Sequence, residues 1–378
     1  MRFLMSGGGT AGHIYPALAV AEELRKDGRD DVLFVGTPDG LEAKVAGEAG
    51  VPFSPLAARG FDRSRPWTLI TSSAIIAAST LRARRLLRRY RPDVVVGFGG
   101  YVSIPVGMAA ALAGVPLVLH EQNSVPGLAN RQLSRWAAAV AVTYAESAQL
   151  LDHPDRAEAT GNPVRGAVLA ADRRRGREAF GVGDDELLLL VFGGSRGARH
   201  LNTALVATRD RLLALPRLRV VHMAGRAEIA TVSAALEAAG GDGDGRWMLV
   251  DYIDDMGSAL AAADLVVARA GATSIAEITA LGRPSVLVPY PFATDDHQTK
   301  NAVALSASKA AIVIPDSELE TSRLGDTLVE LLGDNETRVT MAAASRALGH
   351  PDAASRVADM ARAAASRSSR PAGFARDG

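Results

Sequence analysis

The first turn of the sequence combines glycines with a hydroxyl and an imidazole. The segment GGGTAGH runs from Gly7 to His13. Glycines let backbone N–H groups approach a phosphate, and a helix that begins after them adds the positive end of its dipole. Imidazole has an unperturbed pKa near ~6.5 and suits proton transfer at neutral pH. We predict an anion-binding turn with His13 as the candidate base. The alternatives are that His13 only binds a diphosphate or caps its helix, and that Glu121, after the strand PLVLH, is the base.

The same glycines satisfy the G-x-G-x-x-G pattern of dinucleotide-binding turns. A nicotinamide enzyme also needs a carboxylate about 20 residues further on, at the tip of the second strand, to bind the ribose. Here the second strand, VLFVG, ends at Gly36 and is followed by Thr37 and Pro38. The pattern therefore disfavours a nicotinamide oxidoreductase, and we expect no cofactor.

A second group of polar residues follows two later strands. Residues 271–274 form a small-residue turn before a helix, and Glu277 lies one helical turn further on. The turn amides can bind a diphosphate while Glu277 accepts from a ribose diol; alternatively, Ser274 caps the helix and Glu277 completes an S-x-x-E capping box. The next loop adds groups suited to sugar hydroxyls, namely Asp295, Asp296, His297, Gln298 and Asn301. Together these segments predict a site for a nucleotide sugar.

We expect no metal site. The chain has no cysteine, so it has no disulfide, thiolate nucleophile or cysteine metal ligand. Asp242 and Asp244 match the Asp-x-Asp motif of many sugar transferases, but GGDGDGR follows no predicted strand and is typical of a surface turn. Lys plus Arg equals Asp plus Glu at 42 each, so composition does not indicate a nucleic-acid partner.

Alternating apolar runs and amphipathic stretches predict two parallel sheets covered by helices. The first set of strands is RFLMS, VLFVG, DVVVGF, PLVLH and AAVAVT. The second set is LLLLVF, LRVVHMA, WMLVDY, ADLVVAR, PSVLVPY and AAIVIP. The 378 residues are long for one core, and a Gly-Asn-Pro stop separates the two sets. We predict domains at 1–162 and 163–349, a helix at 350–366 that packs back on the first domain, and a disordered tail at 367–378.

Two segments bear on a membrane. The uncharged stretch from Tyr101 to Leu119 is long enough to span one, but its prolines and glycines predict a short helix and a strand instead. Segment 65–91 pairs Trp67, Leu69, Ile70, Ile75 and Ile76 with Arg82, Arg84, Arg85, Arg88, Arg89 and Arg91. It is either a core-packed helix with a solvated basic face or a peripheral attachment to anionic lipid.

Seven motifs, in order, resemble the MurG family of N-acetylglucosamine transferases. They are GGGTAGH, HEQN, GNPVR, GGSRGA, YIDDM, RAGATSIAE and DDHQTKNA, and the resemblance runs to about residue 365. It implies a GT-B fold, with two Rossmann-like α/β domains whose parallel sheets face across a cleft. The first domain would bind the acceptor and face the membrane, and the second would bind the UDP-sugar.

The resemblance also implies an activity and its residues. The activity would be metal-independent, inverting transfer from UDP-N-acetylglucosamine to a lipid-linked muramoyl pentapeptide, at the cytoplasmic side of an anionic membrane surface. The implied donor-binding residues are Thr10, Ala11, Gly12, Asn123, Arg165, Ser195, Ile253, Ala272, Thr273, Ser274, Ile275, Ala276, Glu277 and Gln298. The alternatives are a UDP-sugar 2-epimerase of the same architecture and a non-catalytic nucleotide-sugar-binding partner of a membrane complex.

Overall fold

The computed structural model describes residues 1–58, 68–194 and 198–368. The chain divides into two compact units, one of Met1–Arg165 with Pro351–Gly378 and one of Gly166–His350. Each contains one parallel sheet. The two sheets confirm the α/β class predicted from the alternating apolar runs.

The strands of the first unit are β1 (Arg2–Ser6), β2 (Asp31–Gly36), β3 (Phe53–Pro55), β4 (Val94–Gly97), β5 (Leu117–Glu121), β6 (Ala139–Val142) and β7 (Ala157–Ala159). Those of the second are β8 (Leu187–Phe192), β9 (Leu218–Met223), β10 (Trp247–Val250), β11 (Leu265–Ala268), β12 (Ser285–Leu287) and β13 (Ala311–Val313). Every predicted strand is present. The prediction missed β3 and β7, because the segments around Phe53–Pro55 and Ala157–Ala159 carry no continuous apolar run.

The first helices are α1 (Ala11–Arg25), α2 (Leu41–Glu48), α3 (Thr68–Tyr90), α4 (Ser103–Ala113), α5 (Leu128–Leu133), α6 (Gly166–Leu169), α7 (Arg173–Ala179) and α8 (Arg199–Ala207). The others are α9 (Arg209–Leu213), α10 (Ile229–Ala238), α11 (Met256–Ala262), α12 (Ala272–Ala280), α13 (His297–Ala307), α14 (Arg323–Gly333), α15 (Asn335–Ala347) and α16 (Ala353–Ser368). Short 3₁₀ turns lie at Ser134–Trp136, Ala145–Leu150, Pro154–Arg156, Thr294–Asp296 and Asp316–Glu318.

The first unit has a seven-stranded sheet in the order β3-β2-β1-β4-β5-β6-β7. Its central strands are buried on both faces, as their continuous apolar sequences require. Helix α16 packs on α1, and Val357, Ala358 and Ala361 belong to the core there. It ends at Ser368, and the rest of the predicted tail lies outside the described residues.

The second unit has a six-stranded sheet in the order β10-β9-β8-β11-β12-β13. In each sheet the first strand of the unit, β1 or β8, has neighbours on both sides. The chain first adds strands on one side of it and then crosses over to add the others on the opposite side. Because all pairs are parallel, the carboxyl ends of neighbouring strands meet at one edge of each sheet. The predicted ligand-binding turns therefore collect at these edges.

The two candidate membrane segments have different structures. The stretch from Tyr101 to Leu119 forms α4 and part of β5, which confirms the predicted helix and strand. Across the part of the chain that the structure describes, no helix is long and apolar enough to cross a bilayer. Helix α3 buries Ala83 and Leu87. Its opposite face exposes Leu81, Arg82, Arg85, Arg88 and Arg89, while residues 65–67 lie outside the described ranges.

A buried histidine anchors the second sheet. His222 on β9 is 0% exposed, and its Nε2 lies 3.0 Å from Asn202 Oδ1. The side-chain amide N–H of Asn202 donates to the Ala224 carbonyl, which assigns Oδ1 as the acceptor that faces His222. The Nε2–H of His222 therefore donates to Asn202 Oδ1. Its Nδ1 has no hydrogen-bond partner among the described residues. Burial lowers the pKa of His222 to about 4, because the protonated ring would carry its charge out of contact with water.

This burial predicts a pH dependence of stability. Between the unfolded pKa of about 6.5 and the folded pKa of about 4, the unfolded chain binds a proton at position 222 that the folded chain does not. The free energy of unfolding should therefore fall as pH drops through this window, by about 1.4 kcal/mol per pH unit from this residue. In urea unfolding from pH 7 to 5, His222→Gln should remove that slope. The exposed His350→Gln should not, and parallel slopes for wild type and His222→Gln would contradict the assignment.

Candidate functional site

The first unit places His13 beside the first glycine turn. The turn follows β1, Thr10 is the residue before α1, and α1 begins at Ala11. His13 therefore lies in the first turn of the helix, and our placement of it in the loop was wrong. Its Nδ1 is 3.0 Å from the Gly8 carbonyl oxygen and 3.2 Å from Thr10 Oγ1.

This geometry assigns the tautomer of His13. A carbonyl oxygen can only accept, so Nδ1 carries the proton that it donates to Gly8. In the neutral ring, Nε2 then holds the lone pair that a general base requires. Gly99 leaves space beside Nε2, because the Cβ of any other residue at this position would lie only 3.1 Å from that atom. The sequence analysis did not predict this role of Gly99. Its φ of +92° is a conformation that glycine adopts readily.

The second glycine turn packs directly on the first. Gly100 has a φ of +79°, and a side chain at this position would collide with the Gly8 carbonyl. The Phe98 amide donates to the Ser6 carbonyl at 2.7 Å, which joins the two turns at their bases. The backbone contact thus fixes the Gly8 carbonyl that orients His13.

Glu121 is surrounded by donors. The side chain ends β5, is 1% exposed and accepts from the amides of Asn123 at 2.9 Å and Gly127 at 3.0 Å. Asn130 Nδ2 donates to it at 2.8 Å. Burial raises the pKa of Glu121, and these hydrogen bonds partly offset the rise. The carboxylate therefore organises the loop at 121–130, and the geometry favours His13 over Glu121 as the base. No local sequence pattern indicates this role of Asn130.

Two further predicted residues lie in the first unit. Arg165 places its guanidinium carbon 4.3 Å from the centroid of the Tyr15 ring, a cation–π contact. Tyr15 is two residues beyond His13 on α1, so Arg165 lies next to the first turns of that helix. The sequence missed Tyr15, because an aromatic residue inside a helix normally indicates the core. Asn123 supplies its backbone and side-chain amides to Glu121, which fixes its position.

In the second unit, α12 begins at Ala272 with Gly271 as its N-cap. Ser274 is thus the third helical residue, and the capping-box alternative for Ser274 and Glu277 is wrong. The amides of Ala272, Thr273 and Ser274 have no intrahelical acceptor. Thr273 Oγ1 is buried without a hydrogen-bond partner among the described residues. This helix end can bind an anion.

Four other predicted residues accompany this helix end. Glu277 is 6% exposed and lies in the second turn of α12; Ile275 is buried and Ala276 partly so. Gln298 lies at the start of α13, and its Oε1 accepts from the Tyr290 amide at 2.9 Å. That bond orients the side-chain amide, so Nε2 remains as a donor.

A shallow cavity of about 390 Å³ lies beside β10. Its lining includes Tyr252, Ile253 and Asp254. The Ile253 side chain is 7% exposed, so its backbone groups are the part that can hydrogen-bond a ligand. Ser195 lies outside the described residues. Asp242 and Asp244 lie in the turns before β10, and the described residues contain no group of three or more side chains arranged to hold a metal ion.

The fold agrees with comparisons to known proteins. Residues 3–142 match the glycosyltransferase family 28 N-terminal domain, and residues 188–357 match the C-terminal domain. The chain therefore belongs to glycosyltransferase family 28. Within that family its relatives are the MurG proteins, which confirms the resemblance found in the sequence.

One relative, from Desulforudis audaxviator, is 43% identical across 95% of this chain and 97% of its own length. It is named UDP-N-acetylglucosamine--N-acetylmuramyl-(pentapeptide) pyrophosphoryl-undecaprenol N-acetylglucosamine transferase. The crystal structure of Acinetobacter baumannii MurG is 32% identical, with a TM-score of 0.74 over 96% of this chain and 99% of that one. A putative UDP-N-acetylglucosamine 2-epimerase from Listeria monocytogenes has a TM-score of 0.72 at 17% identity, over 99% of both chains, and so shares the fold alone.

The donors around Glu121 predict a structural role for it. Glu121→Ala leaves the amides of Asn123, Gly127 and Asn130 without their buried acceptor. We expect the free energy of unfolding to fall by about 3 kcal/mol or more, because each hydrogen bond to a charged group contributes about 1.5–3 kcal/mol. Urea unfolding measures this loss. The exposed Glu146→Ala, in the same unit, is the control, and equal stability of the two variants would contradict the role.

Proposed function

We propose that this chain transfers N-acetylglucosamine from UDP-N-acetylglucosamine to undecaprenyl-diphosphate-linked N-acetylmuramoyl pentapeptide, the step from lipid I to lipid II in peptidoglycan synthesis. The observation that carries the proposal is the 43% identity, over 95% of the chain, to a relative named for this reaction. A UDP-sugar 2-epimerase is the alternative, and the 17% identity to a putative member supports a common fold only.

The second unit supplies the donor contacts in this proposal. The amides at the start of α12, with the hydroxyls of Thr273 and Ser274, bind the diphosphate. Glu277 accepts from the ribose hydroxyls, and the Ile253 backbone pairs with the uracil edge. Gln298 donates from Nε2 to a hexose hydroxyl, since Tyr290 already occupies its oxygen.

The first unit supplies the base. The acceptor 4-hydroxyl oxygen bonds to C1 of N-acetylglucosamine as the bond from C1 to the UDP oxygen breaks, and the configuration inverts. His13 Nε2 takes the hydroxyl proton, which the bond from Nδ1 to Gly8 allows. The electron pair leaves with UDP, and the amides of α12 and the Arg165 guanidinium offer positive charge to it. We expect no metal ion to be required.

The exposed face of α3 is the proposed membrane contact. It presents four arginines, Arg82, Arg85, Arg88 and Arg89, beside Leu81, which is 59% exposed. Anionic lipid attracts each such charge, and an exposed leucine can enter the headgroup region. This face supports peripheral attachment to a membrane surface. We place that attachment, as part of the proposal, at the cytoplasmic side, where the lipid-linked acceptor would be met.

Transfer from labelled UDP-N-acetylglucosamine to a short-chain lipid-linked muramoyl acceptor tests the reaction and the base together. We expect product with and without EDTA, and epimerised sugar without acceptor would instead favour the epimerase. His13→Gln keeps a donor for the Gly8 carbonyl but cannot take a proton. It should lower kcat by ~10² to 10⁴ with unchanged donor affinity.

The exposed His350→Gln is the matched control and should retain wild-type kcat. A loss of tenfold or less in His13→Gln would remove His13 as the base. Inhibition by EDTA that added Mg²⁺ restores would contradict metal independence.

Vesicle binding tests the α3 face. Replacing Arg82, Arg85 and Arg89 by Gln should weaken binding to anionic vesicles by up to ~3 kcal/mol at low salt, at about 1 kcal/mol per charge. Sedimentation with anionic and neutral vesicles measures the difference. A control with equal charge loss replaces the exposed Arg174, Arg217 and Arg323. Equal effects of the two triple variants would contradict a localised contact.

A further inference from the structure

A buried ion pair lies at the carboxyl edge of the second sheet and is not among the predicted ligand contacts. Arg269 directly follows β11 and is 4% exposed. Its Nη1 lies 2.5 Å from Asp316 Oδ1, and the Asp316 side chain is 8% exposed. The other Asp316 oxygen is 2.8 Å from Nδ1 of His200, at the start of α8.

The pair joins the ends of adjacent strands. Arg269 Nη1 also donates to the carbonyls of Val288 at 3.3 Å and Pro289 at 3.2 Å, directly after β12. Asp316 lies after β13, and His200 follows the loop after β8. Since β11, β12 and β13 are neighbours in the sheet, the ion pair and its hydrogen bonds connect the carboxyl ends of these three strands, and His200 adds the start of α8.

These contacts lead to the loop that carries Gln298. The Arg269 guanidinium carbon lies 5.6 Å from the Tyr290 ring centroid, and the Tyr290 amide donates to Gln298. On its other side, Arg269 precedes the Gly271 N-cap of α12 by two residues. It therefore connects the turn proposed for the diphosphate with the side chain proposed for the hexose.

We propose that Arg269 and Asp316 are positioning residues for sugar specificity: they hold the loop 288–298 at a fixed distance from the α12 turn, so that Gln298 meets the hexose while the diphosphate is bound. The inference rests on the proposed function, since it takes a nucleotide sugar as the ligand. Arginine suits this role because its rigid, planar guanidinium holds Nη1 against the two carbonyls and the carboxylate while its face lies over the Tyr290 ring, whereas the ammonium of lysine is carried on a flexible stem.

The same strand offers a matched control at its opposite end. Asp264 precedes β11 and pairs with Arg177 at 3.2 Å, and their side chains are 17% and 9% exposed. Asp264 also accepts from the Leu188 amide at 2.8 Å. This pair resembles Arg269 and Asp316 in burial and chemistry, but it lies at the amino edge of the sheet, away from the ligand-binding turns.

The experiment compares Arg269→Lys and Asp316→Asn with Arg177→Lys and Asp264→Asn. Calorimetric titration gives Kd for UDP, UDP-N-acetylglucosamine and its C4 epimer UDP-N-acetylgalactosamine. For the carboxyl-edge variants we expect a UDP Kd within threefold of wild type, a UDP-N-acetylglucosamine Kd raised at least tenfold, and a reduced preference over the epimer. The amino-edge variants should lower Tm by a similar amount and leave all three ratios unchanged. Asp316→Asn keeps the side-chain shape. If Arg269→Lys reduces the folded fraction, the comparison therefore uses Asp316→Asn.

A double-mutant cycle with Gln298→Ala tests whether Arg269 acts through Gln298. If it does, Arg269→Lys should cause no further loss of UDP-N-acetylglucosamine affinity in the Gln298→Ala background. Additive losses, equal effects at both ends of β11, or unchanged sugar preference would each overturn the inference. The titrations measure donor binding without the lipid-linked acceptor. They therefore test this inference even if the transfer assay gives no product. A wild-type chain that binds neither UDP nor UDP-N-acetylglucosamine would contradict the proposed function as well.

Discussion

Parallel pairing places the end of each strand and the start of the helix that follows at one edge of a sheet. Helix starts carry amides without intrahelical acceptors, and in each unit such helix starts collect at this edge. Gly8 and Gly100 show how closely backbones approach there, since a side chain at Gly100 would strike the Gly8 carbonyl. The predicted site residues of both units lie at this edge, where the Gly8 carbonyl orients His13 and the Tyr290 amide orients Gln298.

Two ionisable groups of the first unit, Glu121 and His13, differ in how their hydrogen bonds are arranged. Glu121 is buried, and three neighbouring residues donate to its carboxylate, so its charge is used to shape the loop at 121–130. His13 is only half-buried, and a single backbone carbonyl selects its tautomer. The donors to both Glu121 oxygens make that carboxylate a poorer proton acceptor, and the fixed N–H of His13 defines its tautomer; this difference supports the proposal of His13 as the base.

The sequence predicted what local patterns determine. Buried parallel strands are continuous apolar runs, and glycine turns mark where they end, so every strand except β3 and β7 was predicted. Patterns that fit two local structures were not resolved: S-x-x-E suits a cap, but α12 begins two residues before Ser274. Contacts between distant residues leave no local signal, which explains why the pairing of Arg269 with Asp316, 47 residues apart, was missed.

The two ion pairs that flank β11 show why burial alone does not identify a function. Removing charges from water is costly, and a buried pair often contributes little net stability compared with apolar side chains. What such a pair does provide is geometry, because both partners must meet at a fixed distance with their remaining hydrogen bonds made. At the amino end of β11, that geometry holds Leu188 and the start of β8. At the carboxyl end the same chemistry holds the loop before Gln298, so the position of the pair relative to the sheet edge decides whether it supports the fold or a ligand.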